Sequence, residues 1–404
     1  MKRQLALILG YVFIDVLGFS LILPLLPFYA EAFDATPTLV GLLLGTNAVT
    51  QMIGAPLIGR LSDRYGRRPM LIVSIAGTVV SFLILGLANS LVMLFVSRIL
   101  DGLLGGNISL AQSYITDVTE EKDRAKGLGL IGAAFGVGFI FGPAIGGTLS
   151  AGGNYALPAL IASGLSALNL IGVILFLPES LSTQERQERA QSPGTAITPK
   201  ALWIALRRPC VGPLLNHRLF YGLAFTMFQT IFAVFAGRKL GLSAQSTSYV
   251  LTYVGIVIAV VQGGGISLLT KRFSDKQLVL GGSALLAIAL AAWALTPNVW
   301  LLLVVLVPLA LAGGVLGVVT NSALTKSVVP QETGGTLGLS ASLDSFARVI
   351  SPILGGFLID KLGAAAPGLL GGLIMVWLTV FAWRRILSVP DGACPAPEPE
   401  GLVP

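Results

Sequence analysis

The sequence predicts an all-α membrane protein with twelve transmembrane helices in two six-helix pseudo-symmetric halves. Three observations carry that expectation. Of 404 residues, 54% are hydrophobic and only 11% are charged, whereas a water-soluble domain carries about 25% charged residues. The apolar residues gather into twelve runs of crossing length, and two short motifs recur at nearly one spacing. This composition excludes a soluble globular domain, and its high hydrophobicity excludes a disordered chain.

A crossing helix needs about 20 apolar residues at about 1.5 Å each. Helices 1 to 6 are read at 5–27, 38–58, 70–88, 91–114, 127–149 and 155–177. Helices 7 to 12 follow at 211–235, 246–269, 278–295, 299–323, 335–359 and 368–386. Several neighbours are separated only by uncharged turn residues: Ala88-Asn89-Ser90, Ala151-Gly152-Gly153-Asn154 and Thr296-Pro297-Asn298. The first run is too long for a cleaved signal peptide and contains Asp15.

Basic residues give the orientation. Lys2 and Arg3, then Arg60, Arg64, Arg67 and Arg68, then Lys122, Arg124 and Lys126 fall on one side. Arg186, Arg189, Lys200, Arg207, Arg208, Lys271, Arg272, Lys276, Lys326, Arg384 and Arg385 continue the series. The opposite side has Arg238, Lys239 and Lys361. By the positive-inside rule both termini are expected in the cytoplasm of a multi-pass protein of the inner (plasma) membrane. The net charge of +7 therefore reads as membrane orientation, with no nucleic-acid partner expected.

The halves are expected at 1–180 and 210–390, joined by a polar cytoplasmic linker at 181–209 and followed by a Pro-rich, disordered tail at 391–404. The stretch 199–208 mixes Leu202, Trp203 and Leu206 with Lys and Arg, which suits either a short interfacial helix or a flexible tether. Cys210 and Cys394 lie beside and beyond the apolar runs, so no disulfide framework is expected. His217 is the only histidine, which argues against a metal site; no cofactor is expected.

Leu61-Ser62-Asp63-Arg64 after helix 2 matches Phe273-Ser274-Asp275-Lys276 after helix 8, at an offset of 212 residues. Gly142-Pro143-Ala144-Ile145-Gly146-Gly147 in helix 5 matches Ser351-Pro352-Ile353-Leu354-Gly355-Gly356 in helix 11, at an offset of 209. Two matches at nearly equal offsets, each linking corresponding helices, indicate a duplication. Duplicated six-helix halves are a transporter architecture, with the substrate site near the bilayer midplane.

Gly59-Arg60-Leu61-Ser62-Asp63-Arg64-Tyr65-Gly66-Arg67-Arg68-Pro69 resembles the signature loop of the major facilitator superfamily. The run from Gly132 to Gly147 resembles the helix 5 motif of its drug/proton antiporter branch, and Asp15-Val16-Leu17-Gly18 with Pro24 and Pro27 is similar to helix 1 of tetracycline exporters. The resemblance to tetracycline and multidrug efflux transporters implies a proton-coupled secondary antiporter. It would export hydrophobic or amphipathic small molecules by alternating access, with protons, substrate and the bilayer as partners and a monomer as the expected state. Alternatives on the same fold are a lipid, sugar or metabolite carrier working by symport or uniport, and a non-transporting membrane receptor. Helices 3 and 9 hold no acid, a departure from tetracycline exporters that weakens a metal–tetracycline substrate.

In the signature loop, Gly59 and Gly66 allow tight turns and close approach. Asp63 can accept bonds from backbone amides at a helix start, and the resemblance implies that such contacts latch the cytoplasmic side. Arg64 and Arg67 belong to the same gating set, and Arg67 and Arg68 could pair with Glu120, Glu121 or Asp123. In helix 5, Gly138, Gly142 and Gly146 at i, i+4, i+8 make a flat face for a neighbouring helix, and Pro143 removes a donor and favours a bend. That face suits rocking motion or plain tight packing.

Charges within the spans carry the most information. Insertion scales put a central charge at about 2.5–3.5 kcal/mol, so such groups face polar cavities and are functional by default. Asp15 in helix 1, Arg98 and Asp101 in helix 4, and Asp344 and Arg348 in helix 11 form the candidate proton-coupling set. Arg98–Asp101 and Asp344–Arg348 have i, i+3 and i, i+4 spacing and can pair on their own helices, which leaves mutual neutralisation open for both. Asp15 has no basic neighbour on its helix. A carboxyl alternating between a dry setting, which favours protonation, and an arginine, which favours ionisation, carries protons. Asp15 ranks first, with Arg98 as its candidate partner.

For the substrate, Tyr221, Phe225, Phe228, Phe232 and Phe235 line one face of helix 7; they could stack on flat apolar molecules and cations or pack against other helices. Asn47 and Gln51 in helix 2 are polar within an apolar run. Asn107, Gln112, Gln229 and Asn321 complete the substrate-binding candidates. No phosphate-binding Gly-Lys-Ser/Thr loop is present, and no nucleophile–His–acid set can be assembled around His217, so neither ATP-driven export nor an enzyme is expected.

Overall fold

The computed structural model describes residues 2–191 and 199–388. Within them twelve helices are long and apolar enough to cross a membrane. Helices 1 to 6 run Gln4–Ile22, Pro37–Tyr65, Arg67–Gly86, Leu91–Val118, Lys126–Leu149 and Ala156–Phe176. Helices 7 to 12 run Val211–Leu240, Ala244–Arg272, Asp275–Leu295, Val299–Lys326, Glu332–Leu362 and Ala366–Leu387. All twelve sequence-predicted runs are recovered. Several outgrow the apolar run; helix 2 continues to Tyr65 and ends at Gly66, whose φ of 107° suits only glycine.

The chain forms two compact units. The first comprises Met1–Gly194 with Ala233–Ile256, and the second Thr195–Phe232 with Val257–Pro404. In the first, helix 1 packs on helices 5 and 6, helix 3 on helices 4 and 6, and helix 2 on helix 4. The end of helix 7 and the start of helix 8 join this unit because Gly237 lies against the Phe28 ring, Gly255 against the backbone of Phe139 and Gly147 against Ser248. In the second unit, helix 9 packs on helices 10 and 12, and helix 11 lies beside helices 10 and 12.

The glycine face of helix 5 is spent on helix 1. A Cβ on Gly138 would strike Val16, one on Gly142 would strike Ser20 and the backbone of Leu21, and one on Gly146 the carbonyl of Leu21. The Ser20 hydroxyl donates to the Gly138 carbonyl at 2.8 Å. The flat face thus packs against a helix of its own unit, and Pro143 sits inside a helix that continues to Leu149.

The linker is partly helical. Thr183–Gln191 is a helix opened by a reciprocal cap: the Glu185 carboxylate accepts from the Ser182 amide at 2.8 Å and the Ser182 hydroxyl accepts from the Glu185 amide at 3.3 Å. Hydrogen bonding from the Ser182 side chain, and next from its backbone amide, holds the Glu185 carboxyl below its ordinary range. Pro199–Arg207 is a second helix, as one of the two readings of that stretch requires. The tail expected at 391–404 lies outside the described residues.

Candidate functional site

A polar cluster in the first unit grows from a break in helix 4. Leu91–Leu104 and Asn107–Val118 are separate helical segments joined at Gly105-Gly106. A break inside a span leaves carbonyls that lipid cannot satisfy, and neighbouring helices supply the donors. The Gln51 amide donates to the Gly105 carbonyl at 3.2 Å. The Ser74 hydroxyl donates to the Leu104 carbonyl, and the Asn47 amide to the Arg98 carbonyl at 3.2 Å. Helix 2 comes this close because Gly54 and Gly102 face it and its partner without side chains: a Cβ on either would overlap the opposing backbone.

The break starts a new helical segment at Asn107. Its side-chain amide donates to Asp15 Oδ1 at 2.6 Å and to the Thr78 hydroxyl at 3.1 Å, while its oxygen accepts from Ser74. Asn107 therefore ties the helix 1 carboxyl to helix 3. Beside it, Asp101 accepts from Asn47 at 3.0 Å and pairs with Arg98 at 3.4 Å. Arg98 is buried, donates to Ser97 at 3.1 Å and Ser81 at 3.4 Å, and lies 5.7 Å from the Phe82 ring centre. The partner of Arg98 is thus Asp101 on its own helix, and Asp15, partly exposed, is held by a neutral amide in place of the expected arginine. Two carboxyls and one guanidinium share this cluster, so one proton neutralises it. Asp15 is the group without a cation.

The second unit holds a different ion pair. Arg218 in helix 7 grips Asp344 in helix 11 with two parallel bonds, Nε to Oδ1 at 2.8 Å and Nη2 to Oδ2 at 2.7 Å, and its Nη1 donates to the Gly317 carbonyl at 3.0 Å. The fork geometry is the strong form of such a pair. It replaces the Asp344–Arg348 pairing that the i, i+4 spacing suggested. Arg218 was legible by the same rule that picks out Arg98, a cation inside an apolar run, and sequence reasoning passed over it. Gly222 brings helix 7 against Ala347, which lets the guanidinium reach across. His217 is fully buried, with Nε2 2.8 Å from the Ser283 hydroxyl.

The aromatic stripe of helix 7 is largely interior. Tyr221, Phe228, Phe232 and Phe235 are buried. Tyr221 donates to the Gly313 carbonyl at 2.8 Å, Phe225 covers Gly313, and Phe228 meets Trp293 edge-on at 4.9 Å. Of the two readings of this stripe, packing is what these contacts describe. Gln112 and Gln229 are exposed, and Asn321 accepts from Ser340 at 3.4 Å.

The signature loop builds a third cluster. Arg67, buried, pairs with Asp63 at 2.7 Å and with Asp117 at 3.1 Å, and bonds the Ser62 hydroxyl. Its acid partners are thus Asp63 and Asp117; the side chain of Glu121, one of the acids expected to pair here, lies outside the described residues. Arg189 of the linker helix binds Asp117 at 3.0 Å and approaches Asp63 at 3.8 Å. The amide-accepting role expected of Asp63 belongs to Glu179, which accepts from the backbone of Arg67 at 2.8 Å and Arg68 at 3.2 Å and so caps helix 3. A Cβ on Gly66 would drive into that carboxylate, whereas Gly59 has open space around it and shows no close approach. Arg64 lies over the Tyr65 ring at 5.5 Å. Asp117, Glu179 and Arg189 escaped the sequence reading because their meeting requires helices 2 and 4 and the linker to be folded together.

Twelve apolar helices with charged clusters buried inside them define a polytopic membrane transporter of small molecules, not an enzyme. The sequence matches the Major Facilitator Superfamily over residues 8–267 and 214–404. The chain belongs to that superfamily. It is 30% identical to the class C tetracycline resistance protein of Escherichia coli, over 87% of this chain and 89% of that one. It is 28% identical to multidrug resistance protein 2 of Bacillus subtilis (strain 168), over 93% of each. These likenesses agree with the drug-efflux branch that the motifs resemble. Among solved structures, the human organic anion transporter MFSD10 (TETRAN) superposes with a TM-score of 0.68 at 22% identity, covering 94% of this chain and 99% of that one; that likeness concerns the fold.

Proposed function

We propose that the chain is a proton-coupled antiporter that exports hydrophobic or amphipathic small molecules by alternating access, with Asp15 as the proton carrier. The supporting observation is the unbalanced cluster at the break in helix 4: Arg98 is committed to Asp101, and Asp15 is left on the Asn107 amide. Protonating Asp15 neutralises the set, and a low-dielectric interior favours neutrality. Protons arriving on Asp15 would favour one state of the cycle, and their release the other. Tetracycline and multidrug resistance proteins among the relatives support efflux as the direction. The membrane is the inner (plasma) membrane, with both termini cytoplasmic, as the basic residues indicate.

Purified protein in liposomes with an internal pH dye tests this reading. Addition of an amphipathic substrate from a panel of cations, zwitterions and anions is expected to trigger proton movement opposite to substrate. Substrate movement without proton flux would replace antiport by uniport or another coupling ion.

The Asp63–Arg67–Asp117–Arg189 cluster fits a cytoplasmic latch. Asp63→Asn removes one of the two acids on Arg67 and leaves Asp117, so the loop should still fold. Transport by the purified variant is expected to fall several-fold with expression intact. Wild-type rates would reduce Asp63 to a topology signal.

A further inference from the structure

Three arginines lie deep within the spans treated above, and two of them have an acid partner: Arg98 is held by Asp101, Ser97 and Ser81, and Arg218 by Asp344 and Gly317. The third, Arg348, is exposed and makes no ion pair among the described residues. Its sequence neighbour one turn back, Asp344, is occupied by both nitrogens of the Arg218 fork. The local balance of Arg218, Asp344 and Arg348 is therefore one uncompensated positive charge.

Arg348 sits near the middle of helix 11, which spans Glu332–Leu362. At about 1.5 Å per residue, either end is more than 20 Å away, beyond the reach of a snorkelling side chain. A bare guanidinium facing lipid at that depth costs about 2.5–3.5 kcal/mol on insertion scales, which favours an aqueous setting for the exposed Arg348 over a lipid one. Helix 11 agrees with this. With 3.6 residues per turn, Ala341, Asp344 and Ser345 share the face of Arg348, whereas Phe346 and Phe357, 48% and 47% exposed, lie on the opposite side and suit lipid. Ser345 is partly exposed and Ala341 exposed, so the cationic face is lined with small groups that leave room before the guanidinium.

We infer that Arg348 forms an anion subsite that receives the carboxylate or sulfonate of an amphipathic substrate. A planar guanidinium matches either group with paired, charge-assisted hydrogen bonds, and a substrate anion would supply the charge that the protein withholds from Arg348. The inference deepens the transport reading by naming a substrate class and rests on it in that respect: the preferred cargo is an organic anion with an apolar body. It gives Arg348 a role in binding in place of the proton-coupling role that its position suggested.

The test is equilibrium binding of radiolabelled 1-naphthylacetate to the purified full-length protein, competed with 1-naphthylacetamide and with a naphthylmethyl trimethylammonium ion. These share one apolar body and differ in charge. The carboxylate is expected to bind at least about tenfold more tightly than the neutral amide. Arg348→Gln should abolish that preference while leaving amide binding and the melting temperature within error, and Arg348→Lys should retain part of it. A wild type that binds the amide or the cation as well as the carboxylate overturns the inference, and so does a preference that survives in Arg348→Gln. No proton gradient enters the measurement. A missing anion preference therefore leaves antiport standing, and missing proton flux with the preference intact strikes antiport alone.

Discussion

Asp15→Asn is expected to abolish substrate-driven proton movement while substrate-for-substrate exchange persists. The substitution changes one atom type and keeps the shape. Its carbonyl can still accept the Asn107 amide bond now made by Asp15 Oδ1 at 2.6 Å, so the junction of helices 1, 3 and 4 should survive. What disappears is the only carboxyl of that cluster that lacks a cation. A permanently neutral residue 15 resembles the protonated state, so the variant should bind substrate and cycle loaded in both directions. It should no longer convert a pH gradient into accumulation. In liposomes, gradient-driven accumulation should fall at least tenfold, a difference of about 1.4 kcal/mol in the free energy stored per substrate, with counterflow within about twofold of wild type. Loss of both activities together with a lower melting temperature would give Asp15 a purely structural role. Undiminished proton flux would move the carrier to Asp101 or Asp344.

The spans were legible because lipid imposes a rule that a single sequence can express: enough apolar residues in a row to cross, with charge on one side of the membrane. The signature loop was legible for a related reason, since Gly66 must turn at positive φ and Asp63, Arg64, Arg67 and Arg68 crowd charge around it between two apolar runs. Pairings were harder to read. Spacing along one helix left a pairing of Asp344 with Arg348 open, and the structure pairs Asp344 with Arg218, because a guanidinium approaching from helix 7 can offer two parallel bonds across the close contact at Gly222. The same spacing argument succeeded for Arg98 and Asp101, where helix 2 adds Asn47 to the same carboxylate. Small residues likewise announce a close neighbour without naming it. The Gly138, Gly142 and Gly146 ridge suited any helix, and helix 1 fills it with Val16, Ser20 and Leu21. The aromatic stripe of helix 7 had two readings of equal sequence merit until Trp293 and Gly313 occupied it.

The Arg218–Asp344 pair leads to the second large effect, a stability cycle. Breaking a buried pair by removing one partner costs more than removing both, because the survivor keeps a charge without a counter-charge. Asp344 retains 30% side-chain exposure and Arg218 12%, so water blunts the penalty, and Arg348 one turn on can return only about 0.2–0.5 kcal/mol as an i, i+4 pair; about 2 kcal/mol is expected for Arg218→Gln. Asp344→Asn should be milder, since Arg218 keeps the Gly317 carbonyl and the Tyr221 ring at 5.9 Å. The double variant should recover much of the loss, giving a coupling energy of about 1–2 kcal/mol, within the range known for contacting residues. Thermal melts of the four purified proteins in one detergent at one scan rate rank them, and simple additivity of the two losses would show that the pair is not a unit. The cycle also bears on Arg348. Once Arg218 is gone, the carboxylate of Asp344 is one helical turn from the nearest guanidinium on its own helix, the geometry that stabilises such pairs. Arg218→Gln should therefore draw Arg348 onto Asp344 and lower the affinity for 1-naphthylacetate, whereas the double variant, with Asn at 344, should restore it. That reversal requires Arg348 to be one cation shared between a substrate anion and Asp344, and simple loss of folding would not produce it.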